Sequence, residues 1–461
     1  MKVLLVLPPL PQRMGAPYLG QQYIAASLIA AGHDVTCLDM AALRYTGGEA
    51  RLLDLAGRLA PDVIGMTLFT YNALAGYRLL PALRPLTRLL VAGGPHPTIL
   101  PDEALAHGFD VAVSGEGERA IVGILDALVG AGGHAELARP AIARLPGCHV
   151  RGHAPNPGAF LDDLDALPFP HLSYPSFTAT DYAAHGQIAA GGMMTSRGCP
   201  ARCTFCANYV TGRGYRWRSS ANILAEMVAL ARHADITNFP FWDDAFTARR
   251  PRLYELCEAI SASDELAGAT WTCITPGNMV APFDLEVMRK AGCVAINFGL
   301  ESGDADILKA IRKGQRPEQV RASVRAAKAT GMTTIVNFMF GFPGEGVEAL
   351  KRTLGLMEDL APDTDFFNNR GVLVPFPGTA IFDEHVGTFA FDRWWLDPAR
   401  VGAEPDLFAL GADGAQRALE HDPTLDLDFF RYPDDVRDAI AACVRFKARH
   451  NQATLARMAR V

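Results

Sequence analysis

Ser196–Asn208 reads SRGCPARCTFCAN, and its three thiols, Cys199, Cys203 and Cys206, stand with three and then two residues between them. With nine cysteines in 461 residues, chance supplies this spacing about 0.003 times per chain. Arg202, Thr204 and the neighbouring Gly and Pro make no apolar face, so the thiols do not read as core cysteines. Metal–thiolate chemistry is the reading that remains. Zinc is one occupant, but it takes four ligands and no second Cys-x2-Cys pair accompanies the three thiols. An iron–sulfur cluster on three thiolates leaves one iron open to a further ligand.

Outward from this stretch, strand-like and helical patterns alternate in both directions. Towards the N-terminus, KVLLVL, DVTCLD, DVIGMTL, RLLVAGG and DVAVSG are separated by helical patterns near 18–32, 49–59, 73–83, 98–106 and 118–129. Parallel neighbours need crossover helices of this length, so the pattern predicts a doubly wound parallel sheet. Such sheets bind ligands beyond the carboxyl ends of their strands. Towards the C-terminus, GGMMTS, TNFPFW, ATWTCI, VAINFG, TTIVNFMF and DFFNNRGVLV alternate with helices and predict a partial (β/α)6 barrel, with reacting groups at strand ends. The stretch from about 130 to 190 is rich in Pro, Gly and Asp and reads as a connection. The expected division is a Rossmann-like domain at 1–135, a linker at 136–188, a barrel at 189–385 and a mostly helical C-terminal region at 386–461. In that last region Trp394, Trp395, Phe429, Phe430 and Tyr432 are candidates either for a substrate cap or for packing.

Bulk properties exclude several classes. Lys and Arg number 43 against 50 Asp and Glu, a net charge of −7 with no long block of either sign, so nothing attracts a nucleic-acid backbone. MKVLLVLPPLPQ is too short in apolar residues for a signal peptide, and no run approaches a membrane span, which predicts a cytoplasmic, soluble protein. The other six cysteines show no ladder of spacings and predict no disulfide framework.

The C-x3-C-x2-C stretch after a first barrel strand resembles the radical S-adenosylmethionine (SAM) superfamily. By that resemblance Cys199, Cys203 and Cys206 hold a 4Fe–4S cluster, and Phe205 lines the adenine. Reduction of SAM on the open iron then gives methionine and a 5′-deoxyadenosyl radical. Asp243 and Asp244 in FPFWDDAFTA match an acidic motif that receives the methionine amino group, while Glu301 and Ser302 in NFGLESGD match a ribose-binding position. Asn337, Asn368, Asn369 and Arg370 follow barrel strands and are candidates for contact with the adenosyl group or substrate. Arg216 and Arg218 in YRWRSS resemble a recurrent element, although a surface pair is the simpler reading.

The first 130 residues resemble the cobalamin-binding domain found ahead of many such enzymes. That likeness places Thr67, Leu68, Phe69 and Tyr71 under the corrin, and Gly93, Gly94, His96, Thr98, Gly115, Glu116, Gly117 and Glu118 along the nucleotide tail. The Asp-x-His-x-x-Gly motif that gives cobalt an imidazole in another class is absent. A flavin or nucleotide is the alternative ligand for a doubly wound domain of this kind. The resemblance implies a cobalamin-dependent methyltransferase acting on carbon, supplied with electrons by an external one-electron donor such as flavodoxin or ferredoxin. A radical cyclase, ring-contraction or carbon–carbon coupling enzyme is the first alternative, and a non-catalytic cobalamin sensor or electron-transfer protein the second.

Overall fold

A computed structural model describes the chain apart from residues 12–13, 43–44, 178–181, 183–191, 235, 369–370, 402–417 and 460–461. The N-terminal sheet has the order β2-β1-β3-β4-β5-β6, built from β1 (Lys2–Leu7), β2 (Asp34–Asp39), β3 (Val63–Thr67), β4 (Leu89–Gly93), β5 (Val111–Val113) and β6 (Cys148–Val150). β1 to β5 are parallel, and β6 joins antiparallel to β5. Strands covered on both faces must be apolar throughout rather than alternating, and KVLLVL is buried at every position but its first. The order reverses between β1 and β3, and that switch opens a crevice at the carboxyl edge of the sheet. Helices Leu19–Ala30 and Glu118–Gly130 pack side by side, as do Gly48–Leu59 and Ala73–Leu83. The expected helix near 98–106 is two short ones, Pro95–Ile99 and Pro101–His107, because Pro101 has no N–H to continue the first. β6 comes from the stretch expected to be linker.

The second sheet is parallel, in the order β13-β12-β11-β10-β9, from β9 (Asn238–Pro240), β10 (Thr270–Pro276), β11 (Cys293–Glu301), β12 (Thr333–Phe338) and β13 (Phe366–Asn368). The expected strand GGMMTS contributes only one parallel bridge, Met193 to Phe241. Its continuation instead forms a hairpin, β7 (Ser196–Arg197) antiparallel to β8 (Arg216–Trp217), which frames the cysteine loop. Trp271, fully buried, stacks with Phe241 at 5.4 Å and Phe246 at 5.2 Å in the barrel core. The closing helix Asp434–Met458 packs against β13 and helix Val347–Leu360. Asn451 completes the edge strand, accepting from Phe367 N and donating to Phe367 O, both at 2.8 Å.

The C-terminal aromatics belong to the core and not to a cap. Trp394, Trp395, Phe429 and Phe430 are all at most 5% exposed, within the apolar cluster of the N-terminal domain. Trp394 donates its indole N–H to Pro375 O at 2.8 Å and Trp395 donates to Glu103 at 2.9 Å. No described helix is long and apolar enough to cross a membrane.

Candidate active site

The cysteine loop is fixed at both ends by backbone. Gly198 adopts φ +88°, and a Cβ there would collide with the carbonyl oxygen of Gly214, so only glycine can deliver the chain into the loop. Cys199 N donates to Gly212 O at 3.3 Å, Thr204 N to Ile311 O at 2.9 Å, and Ile381 N to Thr204 O at 3.1 Å. Cys199 and Cys203 are half-buried and Cys206 is exposed. Burial raises all three thiols, Cys206 to about 11, while the Lys313 ammonium opposes the rise at Cys199 and Cys203. The loop therefore carries neutral thiols until a metal displaces their protons. Among the described residues no three His, Cys, Asp or Glu side chains converge on a single ion. Thiolates of a cluster bind different irons and need no such convergence. A His-x3-His pair does exist, His149 and His153, but His149 lies 2.9 Å from Ser114 Oγ on β6 of the first domain.

Around the loop, the barrel strands present a polar lumen. Successive residues of a strand face opposite sides, so Ile296, Phe298 and Leu300 of β11 enter the core while Asn297, Gly299 and Glu301 face inward. Glu301 sits at φ +74°, a strained conformation for a residue with a Cβ, beside a register break in the β11–β12 pairing. Its carboxylate accepts from Lys313 Nζ at 2.7 Å. A Cβ at Gly299 would meet both of these groups, so the glycine leaves room for the pair. Lys313 Nζ also lies 5.8 Å from the Phe205 ring, which is 5.7 Å from Phe342. Burial opposes the ammonium, but the Glu301 carboxylate outweighs it and holds Lys313 charged. Asn337 is in register with Gly299, and both Asn297 Oδ1 and Asn337 Oδ1 are buried without a partner. Lys313 and Asn297 were missed from sequence. The lysine's signal was its place after the Glu301 strand, and the asparagine's was a polar residue on a buried strand.

Three expected contacts resolve differently. Asp243 is 1% exposed and accepts from Thr195 N at 2.6 Å, Ser196 Oγ at 2.6 Å and Thr195 Oγ1, with Arg252 at 3.7 Å, so it ties β7 to helix Arg250–Ser261. Its neighbour Asp244 faces the opposite way, accepting from Thr211 Oγ1 at 3.0 Å and Gly198 N at 3.2 Å at the mouth of a cavity. Ser302 is fully buried, 3.2 Å from Thr353 Oγ1, and accepts from Asp304 N at 3.1 Å, which makes it a turn residue rather than a ribose contact. Asn368 stands exposed, in register with Asn337, whereas Asn369 and Arg370 lie outside the described residues.

The cavity, about 300 Å³, enters the N-terminal domain at the β1/β3 switch and reaches the barrel at Met194, Arg197 and Asp244. Of the residues expected to meet a cobalamin, Thr67, Gly93, Gly94, Gly115, Glu116, Gly117 and Glu118 line this cavity. Apolar Leu5, Ile24, Val91, Val113 and Ile121 form its depth, and Gly65 of β3 widens it, which suits an aromatic base on a polar tether. Leu68, Phe69, Tyr71, His96 and Thr98 do not line it. Leu68 is fully buried, Phe69 packs on Tyr18 at 4.9 Å, and Tyr71 packs on Phe376 and Trp394, each at 5.4 Å. His96 is fully buried, 3.0 Å from Glu103 and 3.1 Å from Tyr77 OH, in the network that also receives Trp395. Thr98 Oγ1 accepts from Gly115 N at 3.0 Å and donates to Gly94 O at 2.8 Å, joining the two glycine loops.

Glu116 and Glu118 do more than line the cavity, because they pair with the cysteine hairpin. Arg216 makes a two-pronged contact with Glu116, 2.8 Å on each side, and Arg197 reaches Glu116 at 3.1 Å as well as Glu118. All four side chains are at most 13% exposed. Arg218 is 4% exposed, paired with Glu226 and donating to Met194 O at 3.0 Å. The surface reading of the two arginines fails: Arg216 is enclosed by Glu116 from far earlier in the chain, and Arg218 by Glu226 of the helix that follows it.

Residues 193–357 match the Radical SAM superfamily and residues 15–125 match the B12 binding domain. An uncharacterized methyltransferase of Pyrococcus horikoshii is 29% identical over 394 residues, covering 83% of each chain. The anaerobic magnesium-protoporphyrin IX monomethyl ester cyclase of Rubrivivax gelatinosus is 26% identical over 390 residues, 81% of this chain and 67% of that one. Among solved structures, the radical SAM methyltransferase TsrM from Kitasatospora setae, with cobalamin and a 4Fe–4S cluster bound, superposes with a TM-score of 0.67 at 19% identity, covering 85% of this chain and 78% of that one. A sheet whose crevice opens onto a cysteine loop in a parallel barrel is what the two family matches describe in sequence, and the chain carries a radical SAM domain with a B12-binding domain ahead of it.

Proposed function

We propose that this enzyme is a cobalamin-dependent radical SAM methyltransferase acting on a carbon centre of a small-molecule substrate. One observation supports the reading: the crevice of the B12-binding domain continues as one cavity to the hairpin that frames the cysteine loop, lined by Gly93 and Glu118 from one domain and by Arg197 and Asp244 from the other. Methyl donor, radical and substrate carbon must meet within van der Waals reach, and only a shared cavity permits it. When bound, the cluster and SAM supply a 5′-deoxyadenosyl radical, and cobalamin supplies the methyl group.

The protein's own part is binding and orientation. Cys199, Cys203 and Cys206 would hold the cluster, and the exposure of Cys206 suits electron entry from an external one-electron donor such as flavodoxin or ferredoxin. Glu301, held in its strained conformation, offers a carboxylate to two ribose hydroxyls, and Lys313, buried and charged, offers its ammonium to the methionine carboxylate. Asn297 and Asn337 bring acceptors that no group among the described residues satisfies. Asp244 is the member of the acidic pair that faces the cavity.

The test is anaerobic reconstitution with iron, sulfide and cobalamin, followed by SAM and a low-potential reductant. Formation of both 5′-deoxyadenosine and S-adenosylhomocysteine is expected. Release of 5′-deoxyadenosine alone would replace methyl transfer by the cyclase reading that the Rubrivivax relative supports, and absence of both would reject the proposal.

A further inference from the structure

Gln21 lies in helix Leu19–Ala30, lines the cavity between the domains and is 1% exposed. Its amide nitrogen and amide oxygen are both buried with no hydrogen-bond partner. No other buried amide among the described residues is left with donor and acceptor both unpaired. The contrast with Gln22 is instructive, since that equally buried side chain donates to Pro17 O at 3.0 Å. A buried amide without partners destabilises the folded chain, so its presence in a cavity wall points to partners that arrive with a ligand. A second unpartnered donor, Arg197 Nε, lines the same cavity at 3% exposure, its other nitrogens being held by Glu116 and Glu118.

We infer that Gln21 is a cobamide-recognition residue, whose carboxamide pairs with a ligand group presenting one donor and one acceptor side by side. This rests on the cobalamin part of the proposed function. Two parts of a cobamide carry that chemistry. The carboxamide arms of the corrin offer a matching C=O and NH2, and an adenine lower base offers an N6–H2 donor beside the ring acceptor N1, which a carboxamide can pair with on both sides. A benzimidazole lower base offers a ring acceptor alone and leaves the amide oxygen of Gln21 unpaired.

The experiment titrates the full-length anaerobic protein and its Gln21→Met variant with cobalamin, with cobinamide, which lacks the nucleotide tail, and with the cobamide carrying adenine, following the visible spectrum. Thermal unfolding of both proteins is recorded without ligand. The variant is expected to melt at the same temperature or higher, because methionine removes an unsatisfied buried amide, and yet to bind cobamides about tenfold or more weakly, as two lost hydrogen bonds would require. Equal losses for all three ligands assign the contact to a corrin carboxamide. A wild-type preference for the adenine form that the variant loses assigns it to the base. Unchanged affinities for all three would overturn the inference, as would a lowered melting temperature with affinity intact, which marks a structural glutamine. Failure of the wild type to bind any cobamide would instead reject the cofactor reading beneath it.

Discussion

Glu116→Gln keeps the shape of the side chain and removes its charge at the junction of the two domains. The carboxylate is 2% exposed and holds Arg216 on two oxygens at 2.8 Å, Arg197 at 3.1 Å and Leu161 N at 2.6 Å. Burial alone would raise its pKa, but the hydrogen bonds from Arg216, the field of Arg197 and the Leu161 N–H outweigh it and hold the carboxyl below its ordinary value. A carboxyl depressed in the folded state stabilises the fold above its unfolded pKa of about 4.3, and that contribution disappears as pH falls through the folded pKa. Removing one partner from a buried ion pair costs about 3–5 kcal/mol. Because Gln retains an acceptor for Leu161 N and one for Arg216, the lower end, about 3 kcal/mol at pH 7, is expected. Urea unfolding of both proteins from pH 7 to pH 3 measures the difference. It should be largest at neutral pH and shrink below about pH 5, with a slope no steeper than about 1.4 kcal/mol per pH unit for one proton. A difference that is constant across the range, or near zero at pH 7, would show that the charge of Glu116 does not hold the junction.

Cys203→Ala should leave the purified protein almost free of cluster iron and of its broad visible charge-transfer absorbance, as iron analysis and spectroscopy would show. Glu301→Gln should weaken SAM about tenfold in equilibrium dialysis while iron content stays at the wild-type level, because a neutral amide binds two hydroxyls less well and frees Lys313 from its partner. Trp395→Ala should destabilise by about 3–5 kcal/mol in denaturant unfolding, although the residue lies far along the chain from the domain it stabilises, because a fully enclosed indole and its bond to Glu103 are both lost. Gly198→Ala should lower iron loading with little change in far-ultraviolet circular dichroism, since the clash is confined to the cysteine loop.

The parallel strands were legible because burial on both faces writes itself as unbroken apolar runs such as KVLLVL. β6 was not, since three residues within a Gly- and Pro-rich stretch carry no period, and its place depends on an edge left open by β5. The cysteine loop stood out because its spacing is improbable by chance, whereas Glu301 and the glycine loops were picked out only by their resemblance to family motifs. Misreadings arose where the deciding partner is remote. Asp243 and Asp244 look alike in sequence, and only the alternation of the chain after β9 turns one beneath Thr195 and the other to the cavity. His96 reads as a ligand contact until Glu103, Tyr77 and Trp395 are seen to enclose it. Trp394 and Trp395 stay undecided between cap and core in the sequence for the same reason: aromatic residues fill cores and line sites alike, and the sheet they seal begins almost 400 residues earlier.

A buried ion-pair lattice at the junction calls for a physical reason, because apolar side chains of similar volume would join two domains at least as strongly. Apolar contact is non-directional and tolerates sliding. The Glu116–Arg216 pair does not, since both oxygens and both guanidinium nitrogens must align, and the same arginine also donates to Leu161 O at 2.7 Å and Thr211 O at 2.8 Å. Glu116 belongs to the loop that lines the cavity proposed to take cobamide, and Arg216 to the hairpin that frames the cysteines. Registering one against the other fixes the separation between the two cofactor cradles. Displacement of reacting groups by an ångström is enough to cost orders of magnitude in rate, so directional pairing at this point serves geometry where apolar packing would serve only adhesion.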